Sequence, residues 1–226
     1  MLDKMKSWIK KMSEVEPFDA SRFNDPLAER IDWVPLKRGG SNFHTHKMVE
    51  VDAHRLEFRP TVGARLFAGI FLAVGIFFPI LFLVQGDADM ESVGATVGII
   101  AFGLVFAGAG GAMWYTMGKP RVFDKWAGMY WKGHKKPDLL YKPMGNEDDN
   151  KDKKDAAMLR DVHAIQLIRE YVRSDKSSYY SYELNLILSD GSRVNVIDHG
   201  KKSEILEDAE KLGQFLGKPV WNMFGV

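Results

Sequence analysis

Hydrophobic positions along the chain follow three patterns, and the places where one gives way to another predict its elements. Two long apolar runs dominate the middle. The first, Leu66 to Val84, carries no charge over nineteen residues, and fourteen of them are Leu, Ile, Phe or Val. A helix needs about twenty such residues to cross the hydrocarbon core of a bilayer. At roughly −0.3 to −0.6 kcal/mol each, fourteen strong hydrophobes favour insertion by about 4 to 8 kcal/mol before Gly and Pro are discounted. Pro79 is compatible with a spanning helix. The second run, Val93 to Met117, is richer in glycine and predicts the return leg of a helical hairpin. The spans fall over about 66–85 and 93–117 within a segment 63–118.

Outside this segment the period shortens to two. In a leading region 30–62, Lys47, Val49 and Val51 alternate with Met48 and Glu50, and Leu56 and Phe58 alternate with Arg55, Glu57 and Arg59. That is a β-hairpin turning at Asp52-Ala53-His54 and running into the first span, with Trp33 to Leu36 as a strand-like stretch before it. After the second span, Arg121 to Asp124 and Met129 to Lys132 flank a turn at Lys125 to Gly128. Val162 to Val172, Tyr179 to Leu188 and Arg193 to Asp198 are three further strands, the last two joined by the turn signal Ser189-Asp190-Gly191-Ser192. A closing helix over 202–216 carries Ile205, Leu206, Ala209, Leu212, Phe215 and Leu216 on one stripe, with Ser203 as a candidate cap and Gly217 and Pro219 ending it.

The third pattern has no period. Residues 133–157 are dominated by Lys, Asp, Glu, Asn, Gly and Pro and predict a solvated, mobile charged loop. At the other end, residues 1–16 hold an amphipathic helix, with Leu2, Met5, Trp8, Ile9 and Met12 on one face and lysines around it. Such a helix can lie on an anionic leaflet or pack on protein.

Seven strands and a closing helix suggest one arrangement. The residues Phe123-Asp124-x-x-x-Gly128-x-x-Trp131, the run from Val162 to Asp198 and the final helix resemble the pleckstrin-homology-like fold, a bent seven-stranded sheet closed by a C-terminal helix. The chain resembles uncharacterised bacterial two-span inner-membrane proteins with a PH-like cytosolic domain. The resemblance implies a membrane α+β protein: a two-helix transmembrane hairpin with a PH-like β domain over 119–226. In the simple form of that arrangement the domain follows both spans, whereas here a hairpin precedes them.

Charge sets the orientation. The loop Gly86 to Ser92 carries three acids and no base, while Arg55, Arg59, Arg65, Lys119, Arg121 and Lys125 flank the pair of spans. The positive-inside rule then puts both termini in the cytoplasm of a bacterial inner membrane. No apolar h-region of a cleavable signal precedes position 60. A formal charge of +1 gives no field that would recruit nucleic acid, and the lack of cysteine excludes disulfides and thiolate chemistry.

Candidate chemistry is sparse. His44 and His46 sit one residue apart on a strand, a spacing able to chelate zinc or copper, but no spaced third ligand accompanies them. His163 and His199 are isolated, and no nucleophile elbow, Walker loop or HExxH occurs. The sequence therefore predicts no catalytic residue, metal or cofactor. Its interaction candidates are the small residues Gly94, Gly98, Gly103, Ala107 and Gly111 of the second span, with Gly69 and Ala73 in the first, which allow close helix approach. Lys37, Arg38, Arg121, Lys125, Trp114 and Tyr115 are the candidate lipid-facing collar. The reading is a non-enzymatic subunit or adaptor of a membrane complex whose partners are the bilayer and either a membrane protein or a second copy. An anionic-lipid-binding protein is the first alternative. A membrane-anchored enzyme using His44, His46 and Asp198 is the second.

Overall fold

Strand β2 (Arg55–Pro60) runs into helix α2 (Val62–Gln85) through the single residue Thr61, and helix α3 (Val93–Met117) returns to strand β3 (Arg121–Asp124) through three. The computed structural model describes residues 18–36, 39–40, 42–85, 93–137, 155–173 and 178–225. The expected N-terminal helix over 1–16, Lys37, Arg38 and most of the expected charged loop lie outside the described residues. The protein is α+β with two long apolar helices, and it divides into two units, 43–159 and 1–42 with 160–226.

In the unit 43–159, β1 (His46–Asp52), β2, β3, β4 (Met129–Lys132) and β5 (Ala156–Met158) form one sheet in sequence order, every pair antiparallel. The register Leu56↔Phe123 and Phe58↔Arg121 puts the strands before and after the helices side by side. The helix pair is thus a long insertion between neighbouring strands. Leu56, Phe58, Phe123 and Tyr130 form the core, with Phe123 and Tyr130 rings 4.6 Å apart. Strand β5 corrects the sequence reading at the end of the charged loop: Ala156 and Ala157 are buried against β4, opposite Trp131 and Tyr130. Thr61 makes the joint to α2. Its Oγ1 accepts from the Ala64 N–H at 3.2 Å and donates to the His44 carbonyl at 2.9 Å.

Between the helices, glycine faces backbone. A side chain at Gly75 would strike the Ala107 backbone and the Gly103 carbonyl, and one at Gly103 would strike Pro79. Gly110 meets Leu72 in the same way. Absent side chains therefore let the two helices approach at backbone distance.

The unit 1–42 with 160–226 is a second sheet, ordered β8 (Arg193–His199), β7 (Ser178–Leu188), β6 (Val162–Arg173), β9 (Val220–Asn222). Strand β9 runs parallel to β6, while β6, β7 and β8 form an antiparallel meander turning at Gly191, whose φ of 85° requires a residue without Cβ. Helix α4 (Lys202–Leu216) buries Ile205, Ala209 and Leu212 and stops at Gly217 in the left-handed region. Ser203 lies inside its first turn instead of capping it; the cap position is Lys201.

The division corrects the expected domain over 119–226. Strands β3 and β4 pair with the leading hairpin, and β6 to β8 belong to a separate sheet. Trp33 to Leu36 is not a strand. It is part of an irregular strap that follows a short helix, α1 (Pro26–Arg30). A row of polar residues, Gln166 and Glu183 buried and Arg193 half-buried, bonds to the strap's backbone. Gln166 Nε2 donates to the Asp32 carbonyl, Arg193 donates to the Asp32 and Val34 carbonyls, and Glu183 Oε1 accepts from the Leu36 N–H, all between 2.9 and 3.0 Å. Glu183 and Gln166 can be buried in this sheet because the strap supplies their partners.

Candidate functional site

The residues gathered where α2 and α3 join the sheet form a candidate site in the unit 43–159. Pro60, Ala64, Arg65 and Ala68 come from the end of β2 and the first turns of α2, and Trp114, Tyr115, Met117 and Gly118 from the last turn of α3 and its exit. With His134 they enclose a cavity of about 290 Å³. Its floor is apolar: Ala64 and Ala68 are each 1% exposed. Its rim is cationic and aromatic. Arg65 pairs with no carboxylate among the described residues, and Lys119 Nζ lies 4.8 Å from the centre of the Tyr115 ring.

Arg65 stands out because the neighbouring arginines are engaged. Glu57 is mostly buried on β2 and accepts from Arg55 Nε and Arg59 Nε at 2.7 Å each, and Arg55 also reaches Asp124 at 3.3 Å. Burial works to raise the Glu57 carboxyl, but the two guanidiniums prevail and hold it below the usual range.

His46 ties the start of β1 to the segment that follows α3. It is buried at the start of β1, with Nδ1 2.9 Å from Thr45 Oγ1 and Nε2 3.1 Å from the Lys119 carbonyl and against Arg121 NH1. Arg121 NH1 also donates to the Lys119 carbonyl at 2.8 Å. A neutral ring that donates from Nδ1 to Thr45 and accepts at Nε2 from Arg121 leaves the Lys119 carbonyl to accept from Arg121. Burial, reinforced by the Arg121 charge, lowers the His46 imidazole from its ordinary 6.5 to about 3. Both ring nitrogens are thus occupied, and the His44/His46 pair offers no chelating face from His46.

A pH dependence follows. Between about pH 6.5 and pH 3 the unfolded chain carries the His46 proton and the folded unit does not. Stability of that unit therefore falls as pH drops through this window, by up to roughly tenfold in the folding equilibrium per pH unit. In the other unit the sign is opposite. Burial, against the pull of Lys211, pushes Asp208 up to about 7 from 3.8, so its contribution is lost as pH rises through that interval. Denaturant titrations of wild type and His46→Gln from pH 7 to pH 4 check the first statement: the variant is expected to show a shallower loss.

The expected lipid-facing collar separates on the structure. Trp114 and Tyr115 are exposed at the helix base and line the cavity. Arg121 is at that end of the sheet but turned onto His46 and Lys119. Lys125 lies beyond the opposite end of β3, roughly 13 Å from Arg121 at about 3.3 Å per residue, where its N–H donates to the His54 carbonyl. The expected small-residue stripe also divides. Gly103 and Ala107 meet α2, whereas side chains at Gly98 or Gly111 would enter open space, as would one at Gly108. Gly94 is exposed near the start of α3.

The remaining candidates have structural partners. Asp198 accepts from Asn195 Nδ2 at 3.0 Å, His163 Nε2 lies 2.7 Å from Asp25 Oδ2, and His199 Nδ1 accepts from the Lys201 N–H at 3.2 Å. Sequence reasoning missed the cavity and its Arg65, although Arg65 was legible as the last charge before the first apolar run. It also missed an open groove of about 690 Å³ along α4 and β9, bordered by Leu167, Leu206, Gly213 and Val220. Among known proteins, the chain matches no family model, no curated protein and no solved structure.

Proposed function

We propose that the chain is a non-enzymatic integral membrane protein, a subunit or adaptor that presents its sheets to the cytoplasm from a two-helix anchor. The observation that carries this reading is the bareness of the helices. Only 17% and 11% of their most apolar windows are buried, and Leu66, Ile70, Phe77, Val84, Leu104 and Val105 are each more than 60% exposed. A core helix of a soluble protein covers such side chains; contiguous apolar surface on this scale calls for lipid or protein around it. The acidic loop between the helices and the basic residues at their base support a bacterial inner-membrane orientation with both termini inside. A PH-like character for the C-terminal part is supported by the β6–β8 meander followed by the amphipathic α4, with β9 as an addition to that pattern.

The partner reading draws on the open groove along α4 and on Gly98, Gly108 and Gly111, which point away from α2. Purification of the full chain from membranes of its native host in mild detergent tests it. A stoichiometric co-migrating protein, or a homo-oligomer, is expected; a lone monomer would overturn the complex-subunit role. A reporter fused after Val226 is expected to signal from the cytoplasm, and an extracytoplasmic signal would invert the orientation.

Anionic-lipid binding is the second reading, favoured by the cavity beside Arg65. The residues first proposed for it lend less: Lys37 and Arg38 lie outside the described residues, Arg121 is engaged, and Lys125 is distant. The enzyme reading through His44, His46 and Asp198 is weakened by the engaged His46 ring and the Asn195–Asp198 hydrogen bond.

A further inference from the structure

We infer that the cavity at the base of the helix pair is a binding site for the headgroup of one anionic phospholipid, an inference that rests on the membrane reading above. Three properties point to an amphiphile with a negative head. Among the described residues the walls hold a cation, Arg65, and no acid: the other lining residues are Pro60, Ala64, Ala68, two aromatics, Met117, Gly118 and His134. A hydrated anion would leave the exposed rings of Trp114 and Tyr115 unmatched, whereas the glycerol and first methylenes of a lipid would cover them. The volume, about 290 Å³, lies at the lower end for ligand pockets, suited to a headgroup with its chains continuing outside.

The geometry gives each wall a part. Arg65 is in the first turn of α2, so its guanidinium and the positive end of that helix act on the same anion. Trp114 and Tyr115 present rings at the level where headgroup meets acyl chain. Lys119, whose Nζ lies over the ring of the wall residue Tyr115, adds a second positive charge beside that wall. Glu57, the carboxylate on β2, is neutralised by Arg55 and Arg59, so no carboxylate among the described residues pairs with Arg65. The shared chemistry is a phosphate ester, and the test separates its two sources, a lipid and a free phosphate.

The full chain, extracted from membranes in mild detergent, is reconstituted in nanodiscs of phosphatidylcholine with a minor fraction of phosphatidylglycerol. Lipids retained on release are then counted by native mass spectrometry. Wild type is expected to retain phosphatidylglycerol in preference to its share of the disc. Arg65→Gln is expected to lower that preference about fivefold, the effect of one basic residue near an anionic headgroup, and Arg65→Lys to keep most of it. Trp114→Leu is expected to lower retention of both lipids. Retention in proportion to disc composition by wild type would overturn the inference without reference to any variant. So would an unchanged preference in Arg65→Gln, and loss of the preference in excess inorganic phosphate would assign the site to a free anion. Failure of the chain to fractionate with membranes at all would instead overturn the membrane reading.

Discussion

Gly75→Leu is expected to part the two long helices. A Cβ at this position would meet the backbone of Ala107 and lie 2.7 Å from the carbonyl oxygen of Gly103. Backbone atoms have no rotamer to yield, so the clash is relieved only by separating the helices, which would also uncouple Gly103 from Pro79 and Gly110 from Leu72. Overpacking in a close-packed interior costs about 1–3 kcal/mol where side chains can adjust, and a backbone contact places this variant at about 3 kcal/mol or more. Thermal unfolding of the purified chain in detergent reads the loss. Gly98→Leu and Gly108→Leu are the controls, since a side chain at either enters open space. They are expected to leave monomer stability nearly unchanged, and any fall in oligomer size in Gly98→Leu would assign that face to an intermolecular contact. Equal stability of Gly75→Leu and Gly98→Leu would refute the observed helix packing.

What the sequence made legible was local. The apolar runs coincide with α2 and α3 because an uncharged helical run of that length depends on nothing elsewhere in the chain. Strands β3 and β4 fall where alternation placed them, as does the hairpin turn at Ala53-His54, and α4 spans the expected 202–216. What was hidden depends on contacts between distant residues. Strand β5 is three residues long and has a strand's identity only through pairing with Met129 to Trp131. The sharing of one sheet by β2 and β3 crosses more than sixty positions of chain; the order of hairpin, spans and strands left it open, and no period in the sequence decides it. In sequence His46 offered only a chelating spacing with His44, yet Lys119 and Arg121 arrive from the far side of the helix pair to engage its ring. Lys125 misled in the opposite way: four residues of extended strand carry it away from the helix that sequence places beside it.

The same limit explains Trp221, which lies after the closing helix where the pattern had ended, and which carries the second large effect. Trp221→Ala is expected to cost the unit 1–42 with 160–226 about 3–5 kcal/mol, the range for deleting a buried aromatic side chain. The indole is 2% exposed on β9, opposite Gln166 of β6, with the rings of Phe23 at 5.9 Å, His163 at 5.6 Å and Trp33 at 6.4 Å. It therefore touches both the edge of the sheet and the segment that straps across it. Without the indole, Phe23 and Trp33 keep each other, stacked at 5.4 Å, but lose the surface they stack onto. The strap then depends on its polar ties to Gln166, Glu183 and Arg193, each a neutral or charge-assisted bond of about 1–3 kcal/mol that weakens once water enters. Hydrogen exchange of the full chain should accordingly speed up over residues 20–36 in Trp221→Ala, while exchange within α2 and α3 stays as in wild type. Trp221→Phe, which keeps a ring in the stack, is expected to restore most of the protection. Unchanged exchange over 20–36 in the alanine variant would mean that the polar row alone holds the strap.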